Sequence, residues 1–210
     1  MSDSKIGVVV PGSPLGMTTP DRLEEIAAVA KKYKVETIKI TAAQRLKLYG
    51  VEKEDAPALL EELGGAMPQP VGVKTGPHTL QCCPGVKSCS YACQDSQGLS
   101  EKLGKALSTR VFPGKVKVGV SGCAFNCCES YLRDVGIFGK KSGWTLVFAG
   151  NAGGRPRIGD VLAEGLSDDE VIERTLKALE YYTANARKLE RSARLVTRNG
   201  VDELKAFMAK

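Results

Sequence analysis

The seven cysteines of the chain fall in two groups: Cys82, Cys83, Cys89 and Cys93 in "QCCPGVKSCSYACQ", and Cys123, Cys127 and Cys128 in "SGCAFNCCES". One pairing these groups offer is Cys83-x5-Cys89 with Cys123-x3-Cys127. Four thiolates drawn from two separated loops make a closed, soft, sulfur-only site, suited to zinc or to an iron–sulfur cluster. Structural zinc ordinarily shows two C-x2–4-C knuckles. The five-residue loop is wider than that, and a four-iron cubane tolerates it better than a single ion does. Spacing alone leaves three uses open: a cluster, a zinc site, or thiols packed as small buried hydrophobes.

The rest of the composition narrows the setting. A chain of 210 residues with 42% hydrophobic and 26% charged residues can bury a core without covalent help, as one generous domain or two small ones. The opening "MSDSKIGVVVPG" has no apolar leader core, and no run approaches the length of a membrane span. A cytoplasmic, reducing location is therefore expected, and disulfides are not. The formal charge of +6 favours an anionic partner. Its lysines and arginines are scattered, with no aromatic-rich basic strand or finger spacing, which argues against nucleic acid.

Two groups of elements must position these residues. "KIGVVV" reads as a strand, and Thr19 caps a helix that opens with Pro20. "VETIKITA" alternates as a half-buried strand. "AAQRLKLYGV" fits either a short helix or more strand, and "KEDAPALLEELGG" is a helix ended by Gly64 and Gly65. A Pro-rich hinge, "MPQPVGVKTGP", follows. Beyond it "DSQGLSEKLGKALSTR" reads as a helix, and "GKVKVGVSG", "DVGIFGK" and "GWTLVFAGN" as strands. Ser167 and Glu170 stand in capping-box spacing ahead of a long helix, and a last helix, "VDELKAFMAK", follows the turn "RNG". The expectation is an α+β chain with domains at 1–70 and 71–210.

The residues around the cysteines resemble those of a known family. "CPGVKSC" with its lead-in "GPHTLQ", and "VSGCAFNCCESYLRDVGIFGK", are similar to the two cluster motifs of the sirohaem-dependent nitrite/sulfite reductases. Those motifs are a C-x5-C loop and an SGC-x3-C turn followed by a D-[IV]-G-x-x-G strand. "GVVVPGSPLGMTTPDRLEEIAAVAKKY" and "IKITAAQRLKLYGV" resemble the ferredoxin-like half-domain of that family, and "SDDEVIERTLKALEYYTANA" and "ERSARLVTRNGVDELK" its C-terminal helices. The likeness covers residues 5 to 207. It implies a ferredoxin-like half-domain followed by an α/β domain that binds sirohaem and a [4Fe–4S] cluster. Full-length members carry two homologous halves, so this chain is similar to the small, single-half branch.

The resemblance also implies roles. Cys83, Cys89, Cys123 and Cys127 become the cluster ligands, and Cys127 the sulfur shared with the sirohaem iron. Thr41, Gln44 and Arg45 match the segment that touches the macrocycle. Lys115 and Lys117, two apart on an expected strand, would point to one face and hold an anion between them. Lys74 and His78, the only histidine, would stand beside them. Cys82, Cys93 and Cys128 have no counterpart, although Cys82 and Cys128 could replace their neighbours by a one-residue slip. The implied activity is six-electron reduction of a small anion, sulfite to sulfide or nitrite to ammonia. Electrons come from a separate donor protein, since no flavin or nicotinamide motif is present; a homo-oligomer is left open. The rivals are an electron-transfer or cofactor-handling protein without turnover, and a zinc-stabilised binding module.

Overall fold

The computed structural model describes residues 4–12, 14–65 and 76–209, which divide into two units, Met1–Gly72 and Val73–Lys210. The expected hinge lies largely outside the described residues, and so does Lys74.

In the first unit the elements run β1 (Lys5–Val9), α1 (Pro20–Lys32), β2 (Thr37–Ile40), β3 (Leu46–Glu52) and α2 (Ala56–Glu62). The strands form an antiparallel sheet in the order β1-β3-β2. Each helix is bounded by its sequence. The Thr19 hydroxyl accepts the Arg22 N–H at 3.2 Å at the start of α1. At the end of α2, Gly64 takes φ +73°, and the N–H groups of Gly64 and Gly65 reach Glu61 O and Leu60 O. That is the reciprocal pair of a Schellman stop, and it needs a residue without Cβ strain at this φ. Ile26, Leu48, Val51, Leu59 and Leu63 are buried between sheet and helices, each contributing roughly 1.5–3 kcal/mol. The ambiguous "AAQRLKLYGV" resolves as a turn and β3. The half-burial expected of β2 does not occur. It is an edge strand, all four of its residues are exposed, and Ile40 keeps 75% of its surface in contact with solvent.

The second unit is a five-stranded sheet ordered β4 (Thr79–Cys82), β5 (Lys117–Ser121), β6 (Val135–Lys140), β7 (Gly143–Phe148) and β8 (Asp160–Leu166). β4, β5 and β6 are parallel, while β7 and β8 return antiparallel. Parallel neighbours need crossovers. α3 (Ser96–Leu107) makes the first, and the 122–134 segment, with a short 3-10 turn at Ser130–Leu132, makes the second. That segment lies so close to the sheet that a Cβ on Gly136 would fall 1.9 Å from Ser130 O, so the glycine of "DVG" is a steric requirement. β5 is buried along most of its length, as expected of a central parallel strand. α4 (Asp168–Asn185) opens with the expected capping box, Ser167 and Glu170 exchanging both bonds. α5 (Ser192–Asn199) and α6 (Val201–Met208) complete the unit.

Candidate active site

In parallel sheets ligands gather at the carboxyl ends of the strands, where crossover loops open away from the backbone ladder. Cys83 follows β4 directly, and Cys123 stands two residues beyond β5, the strand hydrogen-bonded beside it. Two cysteine groups far apart in sequence are thereby delivered to one end of one strand pair.

Backbone bonds then join the loops. Gly122 O accepts the N–H groups of Cys93 and Gln94 at 2.8 and 3.0 Å, and Gly122 N–H donates to Cys83 Sγ at 3.1 Å. A Cβ on Gly122 would meet Gln94 O at 2.8 Å and Gly85 Cα at 3.2 Å, so only glycine lets the loops approach this closely. Ser96, the first residue of α3, donates its hydroxyl to Cys83 O at 2.9 Å and lies 3.4 Å from the sulfur. Hydrogen bonds to sulfur are one of the levers that set cluster potentials. The Cys83–Cys89 loop turns through a 3-10 segment, Gly85–Lys87, and Cys89 N–H closes it on Gly85 O at 3.0 Å.

The cysteines differ in setting. Cys83 and Cys123 are buried at the loop bases, Cys89 is half-buried, and Cys127 is exposed at the tip of its turn. Cys82 is the buried last residue of β4 and its thiol lies against Ser100 of α3, one turn along that helix from the Ser96 that meets Cys83. Burial holds the Cys82 thiol above its usual range and pushes Cys128 up to about 12. Cys128 is further fixed by its N–H to Ser121 Oγ at 3.0 Å and its carbonyl to Arg133 Nε at 3.0 Å. Both behave as packed thiols. All seven cysteines are free of disulfides. Among the described residues no three His, Cys, Asp or Glu side chains are grouped closely enough to hold one metal ion. Cys83, Cys89, Cys123 and Cys127 stand on two loops joined by the Gly122 hydrogen bonds at the carboxyl end of the β4–β5 pair.

Lys115, Lys117 and His78 are elsewhere. β5 begins at Lys117, so Lys115 precedes the strand; it is exposed, whereas Lys117 is half-buried. Lys117 is in register with Thr79, and His78 N–H reaches Val116 O at 2.8 Å. All three therefore stand at the amino-terminal end of the strands that carry the cysteine loops at the other end. Lys117 to Ser121 alone is roughly 13 Å of strand at ~3.3 Å per residue. The three cations expected to build an anion pocket therefore stand near one another at one end of the strand pair, and the cysteine loops stand at the other end.

Asp134 organises that amino end, a role missed in the sequence. It is fully buried and accepts Arg191 Nε at 3.0 Å, Arg191 Nη2 at 2.5 Å, Ser192 Oγ at 2.6 Å and Lys117 N–H at 2.8 Å. The acid of "DVG" therefore anchors the α4–α5 link and the first residue of β5. Its only signal was an acidic residue placed directly against an apolar strand.

Thr41, Gln44 and Arg45 lie in the first unit, in the turn from β2 to β3. Thr41 Oγ1 donates to Arg45 O at 2.9 Å and accepts Arg45 N–H at 3.3 Å, and Gln44 takes φ +55°. This is a rigid, internally bonded turn.

Comparison with known proteins agrees with both units. Residues 5–66 match the nitrite/sulfite reductase ferredoxin-like half domain, and residues 74–210 the nitrite and sulphite reductase 4Fe-4S domain. The chain is 44% identical over 197 residues to an assimilatory-type sulfite reductase of Nitratidesulfovibrio vulgaris, covering 94% of this chain and 89% of that protein. It is 36% identical to an NAD(P)H nitrite reductase of Bacillus subtilis, covering 95% of this chain but only 25% of that protein. The crystal structure of dissimilatory sulfite reductase I superposes with a TM-score of 0.80 at 14% identity, over 97% of this chain and 69% of that one, a likeness of fold. The chain belongs to the sirohaem-dependent nitrite/sulfite reductase family, an oxidoreductase whose cofactors are a [4Fe–4S] cluster and sirohaem.

Proposed function

We propose that this chain reduces sulfite to sulfide, with Cys83, Cys89, Cys123 and Cys127 holding the cluster and Cys127 also reaching the sirohaem iron. The observation that carries the choice of sulfite is the match along nearly the whole length of an assimilatory-type sulfite reductase; the nitrite reductase is matched along a quarter of its length. The balance is bisulfite plus six electrons and six protons giving hydrosulfide and three waters. When bound, the cofactors supply electron storage and an iron at which the anion is reduced.

The protein's own part is positional. The Gly122 bonds join the two cysteine loops, which supports reading them as one ligand-bearing unit. Ser96 and the Gly122 N–H direct dipoles at Cys83. Cys127 is exposed, which supports reading it as the sulfur shared with a second group. The turn of Thr41, Gln44 and Arg45, its backbone held by the Thr41 hydroxyl, would offer a guanidinium and an amide to an anionic macrocycle rim. With no dinucleotide fingerprint in the sequence, electrons are delivered by a separate donor protein.

Anaerobically purified protein, loaded with cluster and sirohaem and supplied with reduced methyl viologen, tests the reading. Sulfide should form as sulfite is consumed, with six viologens oxidised per sulfide, and nitrite should turn over more slowly. Fully loaded protein that forms no sulfide would instead be a carrier of electrons or cofactor.

A further inference from the structure

An apolar pair stands on the two cysteine loops. Tyr91 lies between Cys89 and Cys93, and Phe125 between Cys123 and Cys127. Their ring centroids are 5.1 Å apart with planes at 84°, an edge-to-face contact that spans the loops. Aromatic rings ordinarily bury most of their large surface. These keep 67% and 71% exposed, and Val86 on the same loop keeps 50%. Cys127, two residues from Phe125, is itself exposed.

Chemistry selects the occupant. A loop clamp would need only the ring contact and would gain by tucking the outer faces inward. A docking protein would want a patch broader than two rings and a valine. A flat, conjugated macrocycle with an anionic rim wants what is present, which is aromatic surface beside the sulfur that reaches its iron. An edge-to-face pair offers one ring face and one ring edge, and a planar ligand can lie offset on the first while abutting the second. We infer that Tyr91 and Phe125 form an aromatic platform for the sirohaem macrocycle next to Cys127, an inference that rests on the reading of Cys127 as the shared sulfur. Both are positioning residues, since they hold the ring and take no part in proton or electron transfer.

The test is an anaerobic titration of cluster-loaded full-length protein with sirohaem, followed by the Soret band. Cluster iron and the thermal midpoint of the sirohaem-free protein are measured in parallel. Phe125→Ala and Tyr91→Ala should each weaken sirohaem binding about five- to tenfold, the scale of one lost stacking contact. Tyr91→Phe and Phe125→Tyr should bind like the parent, and iron per chain and the midpoint should not move. Alanine variants that bind sirohaem as tightly as the parent would overturn the platform. So would variants that lose cluster iron in step with sirohaem, because the pair would then be a loop clamp. A parent protein that loads its cluster but takes up no sirohaem would instead sink the Cys127 reading, a result distinct from the other two.

Discussion

The two ends of the β4–β5 strand pair have opposite characters. At the amino-terminal end, charge is closed in on itself. Asp134 is fully buried, and four donors from Arg191, Ser192 and the backbone of Lys117 fill its oxygens. At the carboxyl-terminal end, reactive groups are left open: Cys127 and Cys93 are exposed, and two aromatic rings stand in solvent. The first arrangement has spent its polar capacity on structure, and the second has kept its capacity for a ligand. The difference teaches that one strand pair can close charge in on itself at one end and leave reactive groups open at the other.

The largest effect that separates the ends should come from Asp134→Asn. Removing one partner of a buried, hydrogen-bonded ion pair costs about 3 kcal/mol or more, and Arg191 together with the Lys117 N–H would lose an ionic acceptor. Urea unfolding should show that loss in a lower midpoint with an unchanged slope. Cluster iron in the folded protein should stay at the parent level. A variant of normal stability but poor iron content would contradict the division, by tying the amino end to the cofactor site.

The smallest effect should come from the lysines. Lys115→Ala and Lys117→Ala remove side chains that stand at the far end of the strands from the cysteine loops. Changes of this kind away from a site usually stay within about 0.5 kcal/mol, so sulfite turnover should remain within about twofold of the parent. A tenfold loss with an intact haem spectrum would restore these lysines to the anion pocket and break the comparison.

Much of this was legible before the structure. The Thr19 cap, the Gly64–Gly65 stop and the Ser167–Glu170 box are local signals, settled by bonds a few residues long, and each formed as read. The cysteine loops were legible for a related reason, since soft donors at matched spacing have few uses. What sequence could not carry was long-range placement. Lys115, expected on the strand with Lys117, precedes it, and which strands flank β5 is fixed only by long-range pairing with β4 and β6. The exposure of β2 likewise depends on its being an edge, which periodicity does not encode. β4 and β8 were not read as strands: the first is four residues long, and the second, "DVLAEGL", alternates weakly and contains a glycine.

The ligand set is the central claim, and iron counting on anaerobic cysteine variants tests it most directly. Single Ser variants of Cys83, Cys89, Cys123 and Cys127 should each fall well below four irons per cluster-loaded chain, and the Cys127 variant should also lose the sirohaem band. Cys82→Ser, Cys93→Ser and Cys128→Ser should keep the full iron complement whenever the protein folds, and Cys93→Ser, at an exposed position, should fold normally. Loss of iron from Cys93→Ser together with its retention in Cys127→Ser would contradict the account.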